Sequence, residues 1–125
     1  MNRPLKGHSV LIVEDEPLIA FGLTDEFARA GARVFIALRL EQALRLMGQE
    51  PVSAAVVDCA LGNDDSNVLC ELLRQRSIPF VHYSGYRAPR AAQAGDTVVA
   101  KPAKDGELVA TVAGLLHAAS RPSVH

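Results

Sequence analysis

The sequence has no excess of positive charge, no long apolar run and only two cysteines among 125 residues. Its formal net charge is -1, so it lacks the basic surface that nucleic-acid binding usually requires. No apolar stretch approaches the length of a membrane span, and the opening residues MNRPLKGHS lack the apolar core of a secretion signal. Cys59 and Cys70 have neither metal-ligand nor redox-pair spacing. We therefore expect a cytoplasmic domain that contacts neither nucleic acid nor membrane, with both cysteines as small buried or half-buried side chains.

The chain does contain a regular alternation of strand and helix patterns, within the length of one domain. Short apolar runs predict five strands: Ser9–Val13, Arg33–Ala37, Ser53–Val57, Phe80–Tyr83 and Thr97–Ala100. Helical spacing predicts four helices: one from Pro17 to near Gly31, then Glu41–Met47, Val68–Arg74 and a closing helix marked by Leu108, Val112 and Leu115. This alternation indicates a parallel sheet covered on both faces, so the predicted fold class is α/β, doubly wound. Residues 1–8 and 119–125 are expected to be tails around a domain of residues 9–118.

Two predicted helices have an apolar side that we expect to face the core. In the first helix Ile19, Leu23 and Phe27 recur every four residues, which leaves Leu18 and Phe21 near the outer face. The apolar side of the third helix is formed by Val68, Leu69, Leu72 and Leu73.

Polar residues follow four of the five predicted strands, at the edge where a doubly wound sheet places its functional crevice. Glu14, Asp15 and Glu16 follow the first strand, Asp58 the third, Ser84 and Gly85 the fourth, and Lys101 and Pro102 the fifth. In the flavodoxin-like strand order 2-1-3-4-5, Glu14, Asp15 and Asp58 would converge. Crowded carboxylates repel one another unless a cation lies among them, and Mg²⁺ suits such a pocket. The acids therefore predict a Mg²⁺ site.

A carboxylate beside Mg²⁺ can attack a phosphorus centre as a nucleophile. The lysine would then compensate the charge of the transferred group and the serine hydroxyl would bind it. Taken singly, each residue has a simpler explanation, because acids often cap strands and helices, and Ser-Gly and Lys-Pro often form turns. Their joint occurrence at four strand ends indicates a phosphoryl-transfer site.

These residues make the chain resemble the response regulator receiver domains of two-component signalling. The matching motifs are LIVEDEP at 11–17, VVDCALG at 56–62, YSG at 83–85 and AKPA at 100–103, and the resemblance spans roughly Ser9–Leu116. It implies that Asp58 accepts a phosphoryl group from a histidine kinase or a histidine phosphotransfer protein. It also implies that Ser84 moves toward that group and that Lys101 contacts it from a loop with a cis bond to Pro102.

The resemblance further implies how Mg²⁺ is held. The side chains of Asp15 and Asp58 and the carbonyl of Ala60 would bind the ion directly, and Glu14 would bind it mostly through water. Ala60 stands where a subgroup of stand-alone receivers often has Asn, so we expect an altered dephosphorylation rate.

Two more positions depart from the usual receiver pattern. Val98 stands where the family often has a Tyr or Phe that turns inward on activation, so the signal must be read differently, through Tyr83 or Tyr86 for example. Ser84 and Lys101 are also closer in sequence than in most receivers. The helix that receivers have between their fourth and fifth strands is therefore expected to be short or irregular, as in the stand-alone subgroup that the chain resembles around IPFVHYSGY.

The leading interpretation is a stand-alone receiver that signals through protein contacts or acts as a phosphate sink, and is not an enzyme beyond slow release of its own phosphate. One alternative is a small Asp-nucleophile phosphatase of the haloacid dehalogenase type, but residues 13–17 lack the Asp-x-Asp motif this would need. Another is a receiver-like adaptor that is never phosphorylated. His82 and His117 are expected to be packed or solvated. Leu18 and Phe21 are candidates for kinase docking, although Phe21 could equally be a partly covered core residue.

Overall fold

The computed structural model describes residues 3–58, 66–85 and 92–120 of the chain. These ranges contain the strands β1 (Ser9–Val13), β2 (Arg33–Ala37), β3 (Ala54–Asp58), β4 (Phe80–Ser84) and β5 (Thr97–Ala100). They also contain the helices α1 (Pro17–Arg29), α2 (Leu40–Gln49), α3 (Asn67–Gln75) and α4 (Glu107–Ser120). Strands β3 and β4 each end one residue later than the sequence predicted, so Asp58 and Ser84 are the last residues of their strands.

The five strands form one parallel sheet in the order β2-β1-β3-β4-β5. This order confirms the predicted flavodoxin-like topology, and it places β1 beside β3. Helix α1 ends just before Gly31, which has a φ of 99°. A Cβ atom there would lie 2.9 Å from the backbone nitrogen of Lys6. Only glycine fits both this left-handed conformation and the close approach of the N-terminal segment.

Apolar side chains fill both faces of the sheet, as expected for buried parallel strands. The face covered by α1 and α4 is packed around Ile12, Phe27, Val56, Val81 and Leu108. The face covered by α2 and α3 is packed around Leu11, Val13, Val57, Leu69 and Leu73. Because side chains alternate along a strand, each buried strand supplies residues to both layers.

The N-terminal segment, which we expected to be a tail, contributes to the core. Leu5 is fully buried in the α1/α4 layer, and its backbone N–H donates to the carbonyl of Ala30 at 2.9 Å. At the other end, α4 continues to Ser120, two residues past the expected domain boundary. Residues 3–8 and 119–120 therefore belong to the folded unit.

Three side-chain orientations differ from the sequence analysis. Ile19 is 37% exposed and Val68 is 59% exposed, whereas their helix neighbours Ala20 and Cys70 are fully buried. In α4 the deeply buried leucine is Leu116, and Leu115 is half-buried. Where two neighbouring residues are both apolar, the hydrophobic pattern leaves the rotation of the helix open by one position, and packing against the sheet decides it.

The short helix expected between β4 and β5 falls mainly on residues 86–91, outside the described residues. Described residues 92–96 contain no helix. No helix in the described part of the chain is long and apolar enough to cross a membrane.

Candidate acidic site at the carboxyl edge of the sheet

Three acids meet at the carboxyl edge of the sheet because β1 and β3 are neighbours. Carboxylate oxygens of Glu14, Asp15 and Asp58 all lie within 4.8 Å of one another. Glu14 and Asp58 are buried, at 1% and 3% exposure, and Asp15 is exposed. The backbone N–H of Glu14 donates to the carbonyl of Ala37 at 3.0 Å, which continues the β1–β2 ladder beyond β1. The sheet itself therefore fixes the position of Glu14.

Lys101 joins the three acids from the end of β5. Its ammonium Nζ lies 3.0 Å from Oε1 of Glu14 and 3.0 Å from Oδ1 of Asp58. Its backbone N–H donates to the carbonyl of Ser84 at 2.6 Å, and the bond to Pro102 is cis, as the resemblance implied. Burial lowers the pKa of Lys101, but the hydrogen bonds and charges of Glu14 and Asp58 outweigh burial and raise it. The ammonium therefore stays charged beside Asp58.

The acidic cluster carries more negative charge than one ammonium compensates. Burial, and then a hydrogen bond with Asp58, raises the pKa of Glu14 to about 7. The backbone N–H of Glu16, 3.1 Å from Oε2, and the ammonium of Lys101 act in the opposite direction. Without another cation, the folded chain therefore retains a proton on this carboxyl at mildly acidic pH.

The described ligand atoms suit a hard divalent cation. All three are carboxylate oxygens within reach of one another, and Mg²⁺ prefers oxygen ligands and commonly takes one or two carboxylates together with water. The exposure of Asp15 leaves one side open to solvent and to a phosphate oxygen. Ala60, the expected carbonyl ligand, lies outside the described residues.

Ser84 ends β4 at the same edge. The sheet register pairs Asp58 with Tyr83 and Ser84 with Ala100, so the serine lies one residue beyond Asp58 on the neighbouring strand. Ser84 is buried, at 4% exposure. The structure thus brings Glu14, Asp15, Asp58, Ser84 and Lys101 to one edge of the sheet.

Sequence reasoning missed the contacts of Tyr83. This side chain is 6% exposed, its hydroxyl accepts a hydrogen bond from the backbone N–H of Ala103 at 3.0 Å, and its ring centroid lies 5.2 Å from Nζ of Lys101. Period-two alternation could have placed Tyr83 on the same face of the sheet as Val81, but it carries no information about the loop after β5.

Sequence reasoning also missed a polar cluster around Asp96, just before β5. Oδ2 of Asp96 lies 2.6 Å from Nη2 of Arg74 in α3, 2.9 Å from Nε2 of His82 in β4 and 2.9 Å from the backbone nitrogen of Gln93. Burial raises the pKa of Asp96, but these hydrogen bonds outweigh burial and lower it to about 2. His82 is fully buried within this cluster, and His117, outside the cluster, is exposed. Both agree with the expectation that these histidines are packed or solvated.

The two most exposed large apolar side chains of α1 lie on its first two turns, close in sequence to Glu14 and Asp15. Leu18 is 80% exposed and Phe21 is 59% exposed. We call this pair the α1 patch. Phe21 is thus more exposed than a covered core residue would be.

The strand order and the acidic edge define a flavodoxin-like α/β domain whose cluster of acids lies at the carboxyl ends of its strands. A model of the response regulator receiver domain family matches residues 10–113. The chain belongs to this family.

The chain is also similar to a curated regulatory protein. The chain is 29% identical over 115 residues to the TorCAD operon transcriptional regulatory protein TorR of Escherichia coli O157:H7, covering 87% of this chain and 50% of TorR. It therefore spans about half the length of this curated relative.

Two solved structures share the fold. A response regulator receiver protein from Sinorhizobium medicae WSM419 superimposes with a TM-score of 0.83 at 20% identity, over 93% of this chain and 99% of that one. A CheY-like response regulator receiver domain protein from Methanospirillum hungatei JF-1 gives a TM-score of 0.81 at 21% identity, over 90% and 95% of the two chains.

Proposed function

We propose that Asp58 is the phosphoacceptor of this receiver domain, and that it takes a phosphoryl group from a histidine kinase or a histidine phosphotransfer protein in a Mg²⁺-dependent reaction. The observation that carries this proposal is the position of Lys101. Its ammonium lies 3.0 Å from Asp58 and 3.0 Å from Glu14, within a cluster of three carboxylates. A charged lysine held against a buried aspartate is suited to compensate the charge of an incoming phosphoryl group.

Glu14, Asp15 and Asp58 would hold the Mg²⁺, with the carbonyl of Ala60 as a further ligand. When bound, the ion supplies positive charge to the carboxylates and to a phosphate oxygen. The exposed side of the site at Asp15 would admit the donor.

In the transfer step, a carboxylate oxygen of Asp58 forms a bond to phosphorus while the bond from phosphorus to the donor nitrogen breaks. The donor imidazole keeps the electron pair of that bond and takes up a proton. Because the transferred group carries spread negative charge, the protein acts mainly by positioning and charge compensation. Lys101 binds one of the phosphoryl oxygens, and the hydroxyl of Ser84 donates to another after the group arrives.

We further propose that the domain is a signalling switch and not a turnover enzyme. The first strand is followed by Glu14 and Asp15 without the Asp-x-Asp motif of the phosphatase alternative, and the acidic cluster has the composition expected of a receiver. The phosphorylated form would act by binding a protein partner or by competing for the kinase as a phosphate sink. The proposed place of action is the cytoplasm, where the catalytic domain of a histidine kinase would supply the phosphoryl group. The mass of the native protein tests whether an output domain is attached.

The α1 patch is the proposed docking surface for the phosphodonor. Exposed apolar side chains beside a reactive site are the usual centre of a protein contact. Leu18 and Phe21 lie on the first two turns of α1, the helix that starts beside the acids.

The test is incubation with Mg²⁺ and phosphoramidate, followed by intact mass spectrometry. We expect a single acid-stable, base-labile phosphoryl group on the unsubstituted chain and none on Asp58→Ala. Asp105→Ala, which removes an exposed acid from the loop before α4, is the matched control and should label normally. Labelling of Asp58→Ala, or no labelling of the unsubstituted protein, would overturn the assignment. Repeated turnover of a phosphorylated substrate would favour the phosphatase.

A further inference from the structure

Tyr83 contacts the loop of Lys101 and the lysine side chain itself. Its hydroxyl oxygen accepts a hydrogen bond from the backbone N–H of Ala103, two residues after Lys101. Its ring lies beneath the lysine, with 5.2 Å between the ring centroid and Nζ. Tyr83 is 6% exposed and packs in the layer between the sheet, α1 and α4. The ring and the hydroxyl are therefore both held in place by the core.

We propose that Tyr83 is a positioning residue that holds the ammonium of Lys101 against the phosphoacceptor. This inference rests on the proposed function of Asp58. Tyr83 acts through Lys101 and touches neither the phosphoryl group nor the donor.

A third contact on Lys101 has a physical role in phosphoryl transfer. Among the described residues, Glu14 and Asp58 hold the ammonium. The carboxylate of Asp58 loses its negative charge when one of its oxygens is phosphorylated. A long lysine side chain has many rotamers, and fixing it costs conformational entropy. The ring face of Tyr83 attracts the ammonium and is unchanged by the reaction. The ring thus keeps the charge at the site while its carboxylate partner changes.

The hydroxyl has a separate role at the backbone. By accepting from Ala103 it ties the loop after β5 to β4, the strand that also carries Ser84. The loop of Lys101 and the switch serine are thereby fixed relative to each other. Phenylalanine would keep the ring contact and lose this tie, whereas leucine would lose both.

The experiment combines rates with a double-mutant cycle. Phosphorylation by phosphoramidate is measured for Tyr83→Phe, for Tyr83→Leu, for Lys101→Met and for Tyr83→Leu combined with Lys101→Met. Each rate is measured well below the unfolding temperature of the variant. We expect Tyr83→Leu to be on the order of tenfold slower than the unsubstituted protein and Tyr83→Phe about threefold slower. In the Lys101→Met background, Tyr83→Leu should change the rate by less than about twofold. Phe27→Leu, an aromatic-to-leucine change in the same buried layer, controls for a general loss of packing and should react at the unsubstituted rate.

A second readout needs neither metal nor phosphodonor. The ε protons of Lys101 should show an upfield ring-current shift in the NMR spectrum of the metal-free protein, preserved in Tyr83→Phe and lost in Tyr83→Leu. An unchanged Lys101 shift in Tyr83→Leu would overturn the inference. The inference would also be overturned if Tyr83→Leu slowed phosphorylation equally in the protein with Lys101 and in the Lys101→Met background. That is the result expected of a tyrosine with a merely structural role. If the unsubstituted protein is not phosphorylated at all, the proposed function fails, and the NMR measurement still decides whether Tyr83 positions Lys101.

Discussion

The acidic cluster predicts that Mg²⁺ binding displaces a proton and therefore depends on pH. Burial, and then the hydrogen bond with Asp58, raises the pKa of Glu14 to about 7, well above the ordinary glutamate value of about 4.3. A carboxyl with a raised pKa in the folded chain favours its protonated form. The metal-free protein should therefore lose stability as the pH rises from about 4 through about 7. A divalent cation binds the ionised carboxylate, so it stabilises the folded protein most at the pH values where that buried charge is otherwise least favourable.

The size of the effect follows from this pKa. With a pKa of about 7, roughly one tenth of the Glu14 carboxyl is ionised at pH 6 and roughly nine tenths at pH 8. The apparent affinity for Mg²⁺ should therefore rise about tenfold between pH 6 and pH 8. About one proton should be released per bound ion at pH 6 and almost none at pH 8. Titration calorimetry in two buffers of different ionisation enthalpy measures both quantities.

A pair of substitutions isolates the responsible carboxyl. Glu14→Gln should bind Mg²⁺ more weakly and with equal affinity at pH 6 and pH 8, because the titrating group is gone. Glu16→Gln is the matched control: Glu16 is exposed and its side chain accepts a hydrogen bond from Leu18 at the start of α1. This control should keep the tenfold dependence. A constant affinity between pH 6 and pH 8 in the unsubstituted protein, or no proton release at pH 6, would refute the reasoning.

Three further predictions concern stability and docking. Asp96→Asn removes a charged acceptor of the buried His82 and should lower the free energy of unfolding in urea by about 2 kcal/mol at pH 7. The pKa of Asp96 is lowered to about 2, so the stabilisation that its carboxylate provides is lost as the pH falls from about 4 toward 2. The difference between the variant and the unsubstituted protein should therefore shrink over this range. Equal stability of the two proteins at pH 7 would contradict this prediction. Leu5→Ala should lower the free energy of unfolding in urea by about 2 to 4 kcal/mol, whereas Lys6→Ala, at the exposed neighbouring position, should lower it little. Unchanged stability of Leu5→Ala would show that Leu5 is not part of the core. Phe21→Asp should slow transfer from a cognate kinase and leave labelling by phosphoramidate intact, and equal losses in both assays would instead indicate damage to the fold.

Strand positions could be predicted closely because buried parallel strands are short apolar runs bounded by polar and turn residues. The bounds of β1, β2 and β5 agree with the sequence analysis. The later ends of β3 and β4 arise because Asp58 and Ser84 stay in register with Tyr83 and Ala100. A polar residue at a strand end signals a change of environment, but it does not show whether the ladder of hydrogen bonds has stopped.

Pairing between distant residues could be predicted only where topology enforces it. The carboxyl ends of neighbouring parallel strands must meet, which is why the approach of Glu14 to Asp58 followed from the strand order. No such constraint joins Arg74 in α3 to Asp96, 22 positions later. Their pairing depends on side-chain direction at the end of a helix and on the path of the connection before β5, and neither has a periodic signal in the sequence.

Strand β4 supports the site from both faces of the sheet. Because side chains alternate along a strand, Tyr83 faces the layer of α1 and α4, whereas His82 faces α3. Tyr83 is bonded to Ala103 after β5, and His82 is bonded to Asp96 before β5. A movement of Ser84 toward a phosphoryl group would therefore act on both ends of β5 together. We expect β5 to respond as one unit, and a signal carried in this way would need no large aromatic at position 98.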